Sequence, residues 1–396
     1  MDKRMEEVRP GETLAADILD RAGRLLFPKG VRLTESAIAA LRQRGVERVS
    51  VAGARKPFNA VLMEKATLRA RKFYAGHDLA RPPGPVLLGL RIEAEAQRLE
   101  DGLPPLLREC RGPAGDAPGP EELPAFSLEA FQPPDLPSAA HELNSVLFSP
   151  EPSSTRVVEL IGRSPGLTAR LLRLVNTPLY GFQGRVETVS RAVTIVGLRE
   201  VGMLASSLLM VDQFGVIQAS VVDMRTFVEH CVGCALTAKT LAEATGLVEP
   251  EQAFVAGLLH DIGRLYFFTA FPERSRFCIE SARKHDRPLL AEESRFFGMD
   301  HGAMGKRLLD GWNMPPALGL AAGHHHDPFK AADPLFPGVM HMADVLVHAM
   351  GIGCSGECWP PEACPGLTDL VPLSPDGLAD IAARVAEQID TIMAAF

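Results

Sequence analysis

The chain has few aromatics: its 396 residues include only three Tyr and two Trp. Single-stranded RNA binders stack bases on aromatic side chains, so this scarcity argues against that class. A basic surplus is also missing, since 41 Lys and Arg stand against 49 Asp and Glu, a net charge of −8. With no Lys/Arg block there is no phosphate-backbone footprint, and no nucleic-acid partner is expected. No run of about 18 uncharged apolar residues occurs, so neither a membrane-spanning helix nor a membrane partner is expected. The opening MDKRMEEVRP has no apolar signal-peptide segment, which points to a cytoplasmic protein. The seven Cys read as reduced thiols. What remains is an ordinary globular composition, 46% hydrophobic and 23% charged, long enough for two or three domains.

Residues 1–53 read as a small α+β module. Short apolar runs punctuated by Gly or Pro suggest strands near Val8, Gly23–Gly30 and Val46–Val51. One helix is expected from Thr34, a plausible N-cap, to Gly45, a stop. Residues 54–130 read as a helical stretch, Leu62–Tyr74, followed by a Pro-rich linker with one short helix near Arg91–Leu99. Proline removes backbone donors and restricts the residue before it, so no packed core is expected there. Residues 131–350 carry apolar positions at helical spacing through Val189–Leu209, Met224–Leu247, Glu251–Phe268, Ala291–Trp312 and Pro315–His326. Residues 351–396 read as a Cys- and Pro-rich segment and a C-terminal helix. The expected fold class is mainly α.

Most of the 11 His fall after residue 229. His230, His260-Asp261, His301, His324-His325-His326-Asp327 and Asp344 lie in separate predicted helices or near their ends. Imidazole and carboxylate are ligands for first-row divalent metals, and a helical bundle can aim several of them at one interior point. His260 and Asp261, if on one helix, point roughly 100° apart and can still face one centre. A lone buried His is more often a hydrogen-bonded core residue, the reading given to His141, His285 and His348. Cys231 and Cys234, at i and i+3 of a helix, read as core thiols, with a zinc or redox pair as the weaker alternative. Cys354, Cys358 and Cys364 lie in a Gly/Pro-rich stretch at irregular spacing, and their role stays open between thiols, a metal and a cluster. Asn176 reads as a structural turn residue.

Several motifs in order resemble the HDOD domain, the HD-related output domain of bacterial signalling proteins within the HD superfamily of metal-dependent phosphohydrolases. They are Ser164-Pro-Gly-Leu-Thr-Ala-Arg-Leu-Leu-Arg-Leu-Val-Asn-Thr-Pro-Leu-Tyr-Gly, Val189-Ser-Arg-Ala-Val-Thr-Ile-Val-Gly-Leu, Leu258-Leu-His-Asp-Ile-Gly-Arg, Asp300-His-Gly and Trp312-Asn-Met-Pro. Residues 1–53 are similar to the small domain that precedes some HD-GYP phosphodiesterases. The resemblance implies an all-α domain with a conditional ligand set. His230, His260, Asp261 and Asp344 would hold one ion, and His301, His325 and His326 a second, with Asp261 bridging. One or two divalent ions (Fe, Mn, Zn or Ni) would be the cofactor. In active relatives such ions make hydroxide from bound water and clamp a phosphate ester. Two departures bear on activity. Arg264 stands where HD-GYP enzymes carry Lys, leaving it a possible phosphate contact, and Asp327-Pro-Phe-Lys replaces the GYP run. The reading preferred is a signalling output or scaffold protein with protein partners and possibly a nucleotide. The alternative is a metal-dependent phosphohydrolase acting on a nucleotide or cyclic dinucleotide.

Overall fold

The computed structural model describes residues 2–9, 12, 14–16, 18–19, 25–27, 33, 38, 41–42, 44–51, 58–105, 123, 134–180, 182, 184–215, 217–218, 220–357 and 359–396. The chain divides into two compact units, Met1–Asn59 and Ala60–Phe396.

In the first unit β1 (Asp2–Arg4) pairs antiparallel with β4 (Arg48–Ser50), with Lys3 opposite Val49. β2 (Ile18–Leu19) pairs antiparallel with β3 (Leu25–Phe27). Met5, Val8, Leu14, Ile18, Leu33, Ile38, Leu41, Val49 and Val51 form its core. Ile38, Leu41 and Arg42 are helical, consistent with a helix there, while Thr34 lies outside the described residues.

The second unit is all helix among its described residues. α1 (Ala60–Phe73) and α2 (Gly84–Glu100) open it. The expectation of an unpacked linker fails here. Phe73, Tyr74 and Leu87 join the main hydrophobic core. Arg91 is only 2% exposed, pairs with Glu95 at 3.2 Å, lies over the Phe73 ring and donates to His348 O at 3.1 Å. Proline at 82, 83 and 85 starts α2 rather than preventing it, because the first helical turn has no use for those N–H groups. The later Pro-rich run, Gly112–Pro120, lies outside the described residues.

The helices that follow are α3 (Ser138–Leu147), α4 (Ser154–Gly162), α5 (Pro165–Val175), α6 (Val189–Val196) and α7 (Leu198–Asp212). Side-chain caps start three of them: Ser153, Ser164 and Thr188 accept from the backbone N–H three residues on. The predicted 189–209 helix is two, broken at Gly197, whose φ of 117° only glycine adopts readily. The centre is α8 (Met224–Thr245), buried along most of its length from Phe227 to Ala242. Around it lie α9 (Pro250–Leu259), α10 (Ile262–Ala270), α11 (Pro272–Lys284), α12 (Leu289–Phe297), α13 (His301–Gly311), α14 (Pro316–His324) and α15 (Leu335–Met350). α16 (Leu367–Leu370) and α17 (Pro375–Met393) close the chain. A helix buried on all sides must meet its neighbours closely. A Cβ at Gly257 of α9 would stand 2.4 Å from Ala235 Cα of α8, so glycine sets that approach.

No described helix is long and apolar enough to cross a membrane.

Candidate metal centre

Five imidazoles and two carboxylates from six helices or their ends meet inside the second unit. His230 comes from the middle of α8 and Asp344 from the middle of α15. His260 ends α9 and Asp261 precedes α10, so the chain turns between them instead of running on as one helix. That break lets adjacent residues face the same interior. His301 opens α13, capped by Asp300, and His325-His326 follow the end of α14. Gly263 makes the convergence possible: a Cβ there would lie 2.1 Å from His301 O.

Asp261 stands between two groups of imidazoles. Its Oδ2 is 3.8 Å from His230 Nε2 and 3.6 Å from His260 Nε2. Its Oδ1 is 3.1 Å from His301 Nε2 and 3.9 Å from His325 Nε2. Asp344 Oδ1 is 3.4 Å from His230 Nε2. His301 Nε2 is 3.3 Å from His325 Nε2 and 2.9 Å from His326 Nε2. The seven residues named from sequence are therefore together, with Asp261 between the two groups of imidazoles.

The ring orientations are set from behind. His260 Nδ1 donates to Gly257 O at 2.8 Å and His325 Nδ1 to Ala322 O at 2.7 Å, which leaves both Nε2 atoms as lone pairs facing inward. Glu293 Oε2 takes the Nδ1 proton of His301 at 2.5 Å and its backbone N–H at 3.0 Å. His348 Nδ1 lies 3.0 Å from Asp344 Oδ1, one turn along α15.

Charge follows from these contacts. Burial raises the Asp261 carboxyl, but Arg264, His260 and His301 outweigh it and hold Asp261 well below the usual range. Asp344 is likewise held low, as His348 and His230 overcome its burial. Burial pushes His230 down to about 4 and His325 to about 3, so both stay neutral. His301 goes the other way, to about 9: burial and Arg264 depress it, but Glu293 and Asp261 prevail. In the ion-free protein one proton on His301 thus sits among three inward Nε2 atoms.

These residues suit a divalent cation. His260 Nε2 is buried and makes no hydrogen bond, and such orphans are rare unless something else satisfies them. Two N or O ligands about 2.1 Å from a tetrahedral ion stand about 3.4 Å apart, the range seen between these pairs.

Two residues gain a definite place and one expectation needs correction. Arg264 is 2% exposed, donating to Glu293 at 2.9 Å and Ser355 at 2.8 Å beside Asp261 at 3.4 Å, so it is a buried strut of the cluster. His348, read as a hydrogen-bonded core or a surface residue, is largely buried with Nδ1 3.0 Å from Asp344 Oδ1. The cysteines are not all reduced: Cys354 is disulfide-bonded, whereas Cys231, Cys234, Cys278 and Cys364 are free. Cys354 is thereby unavailable to a metal or cluster, and Cys358 lies outside the described residues. The segment after α15 packs onto the centre, with Gly353 against the backbone of His230 and Ser355 wholly buried.

Sequence reasoning missed Glu293 and Ser355, and it weighed Cys234 with Cys231 rather than with His230, four residues earlier on the same helical face. Glu293 and Ser355 carry no spacing signal, because a separate helix, α12, supplies one and the segment after α15 the other.

Residues 134–328 match the HDOD domain family. An uncharacterized protein of Treponema pallidum is 29% identical over 201 residues, 49% of this chain; the matched part is 38% of that relative's length. A crystal structure from Shewanella amazonensis, provisionally named a phosphohydrolase, superposes with a TM-score of 0.55 at 23% identity, covering 66% of this chain and 94% of that one. A structure from Marinobacter aquaeolei, provisionally named a signal transduction protein, gives 0.51 at 19% identity over 92% of this chain and 74% of that one. At these identities the structures show a shared fold. The class these matches define is a helical fold shared with those structures. More particularly, the part that matches the HDOD domain family, residues 134–328, lies in the same helical unit as α1 and α2, which precede it.

Proposed function

We propose that this protein is a signalling output protein whose HDOD domain holds a buried divalent-metal centre that organises the domain rather than turning over a substrate. One observation carries the reading: the ligand side chains of His230, His260, Asp261, His301, His325 and Asp344 are each at most 2% exposed. A phosphohydrolase needs room beside the ions for a phosphate ester and groups to hold it. Here the nearest basic group, Arg264, is already committed to Glu293, Ser355 and Asp261. Lys330, after the paired His, is paired with Asp327 at 2.9 Å on the surface. Positioning contributes several kcal/mol to such reactions, so its loss costs orders of magnitude in rate. The output is then contact with signalling proteins, and residues 1–53 are the natural place for an input.

A second reading is favoured by His326, the one ligand residue that is partly exposed. Ions held there would supply Lewis acidity, and a nucleotide or cyclic dinucleotide would enter from that side. The deciding assay incubates purified protein, loaded with Mn²⁺ or Fe²⁺, with cyclic-di-GMP and separates the products by chromatography. The output reading expects no linear or monomeric product. Turnover in wild type that vanishes in the His260→Ala, Asp261→Ala double variant would replace it with the phosphohydrolase reading.

A further inference from the structure

We infer that Cys234 is a thiolate ligand that joins His230, His260 and Asp344 in holding one of the ions. The inference rests on the metal reading above and deepens it. Cys234 follows His230 by one turn of α8, so both side chains point to the same side. Its Sγ is 3.7 Å from His230 Nε2 and 4.0 Å from Asp344 Oδ1. Ligand atoms of all four residues lie within 4.8 Å of one another. A sulfur about 2.3 Å and a nitrogen about 2.1 Å from a tetrahedral ion stand about 3.6 Å apart, which the Cys234–His230 separation meets. The second, independent observation is His260 Nε2, fully enclosed, aimed at the same point and without a hydrogen-bond partner.

The neighbouring thiols do not share this placement. Cys231, on the same helix, lines a small apolar cavity with Val211, Phe227 and Leu258. Cys278 belongs to the hydrophobic core and is in no ligand group among the described residues. Binding forms one S–metal bond and sends the S–H proton to solvent. Two consequences follow. A thiolate shifts preference toward zinc or iron and away from magnesium or manganese. With Asp261 Oδ2 also 3.6 Å from His260 Nε2, this ion would be enclosed by protein groups, and any substrate chemistry would fall to an ion held by His301, His325 and His326.

The test is anaerobic titration of the full chain with Co²⁺, followed by absorption. The expected result is a near-ultraviolet thiolate-to-cobalt band saturating with the first equivalent. Cys234→Ser should abolish the band and weaken that equivalent by about tenfold or more, while Cys231→Ala keeps it. Should Cys234→Ser fail to fold, X-ray absorption of zinc-loaded wild type serves instead, with a sulfur shell expected at about 2.3 Å. Cobalt bound with no thiolate band, a band that survives Cys234→Ser, or zinc with only N/O neighbours would overturn the Cys234 assignment and leave the metal centre standing. Failure of the chain to bind Co²⁺ or Zn²⁺ at all would overturn both.

Discussion

Replacing Glu293 by Gln tests the support of the centre at a residue that touches no ion. Its carboxylate accepts from Arg264 Nε at 2.9 Å, from His301 N at 3.0 Å and from His301 Nδ1 at 2.5 Å. Burial raises its pKa, but Arg264 and His301 together bring it to about 2, so it is an anion at neutral pH. Gln keeps the shape and removes the charge. One amide face must then present N–H groups to Arg264 or His301, both donors. Removing one side of a buried ion pair costs about 3–5 kcal/mol. The lower end is expected, about 3 kcal/mol, because Asp261 and Ser355 still hold Arg264. That corresponds to a melting point about 4 °C lower in the ion-free protein. The lost carboxylate also stops orienting His301, which should weaken metal binding about 10–100-fold. Competition with a chromophoric chelator measures the second effect and thermal unfolding the first. Glu292→Gln is the control. Its carboxylate is buried next door but pairs with Arg287, Arg295 and Ser281, so it should cost stability and spare metal affinity. A Glu293→Gln protein with wild-type chelator competition would refute the reasoning.

Metal affinity should rise with pH, because an incoming ion must displace the proton that His301 holds up to about 9. The expected slope is about tenfold per pH unit from pH 7 to 9, flattening above, with one proton released per ion in calorimetry across buffers; a flat profile would contradict it. Gly263→Ala should cost about 3 kcal/mol and reduce bound metal, since its Cβ meets the backbone of His301 at 2.1 Å. A variant with wild-type melting and loading would show that α10 and α13 can separate freely.

The long helices were legible because apolar residues at three and four spacing have one simple solution, a face turned to the core. Their breaks were not. The Ala291–Trp312 stretch divides at Gly298, where φ is 72°, and Glu251–Phe268 divides at His260-Asp261. No periodicity marks either point, because local glycine conformation and tertiary packing decide it. Only the second half of α2, near Arg91–Leu99, was read as helix; the flanking prolines hid its first turns and its packing, although Leu87, Arg91, Glu95 and Ala96 give it a buried face. The ligand residues were legible through their type and order, with the HDOD resemblance supplying the grouping. What that resemblance could not supply was the outer layer. Cys234 was not grouped with the ligands because its spacing to Cys231 drew attention away from its spacing to His230. Glu293, Ser355 and Arg264 form a network across 91 residues of sequence, assembled only when α10, α12 and the segment after α15 pack together.

The most direct measurement of the central claim is elemental analysis of the full chain purified without chelator, paired with thermal unfolding in EDTA. The account predicts roughly one or two equivalents of a first-row divalent metal, lower content in His260→Ala, and a fall in melting temperature when EDTA strips the ion. A metal-free wild type whose unfolding is indifferent to both EDTA and added zinc, iron or manganese would contradict it.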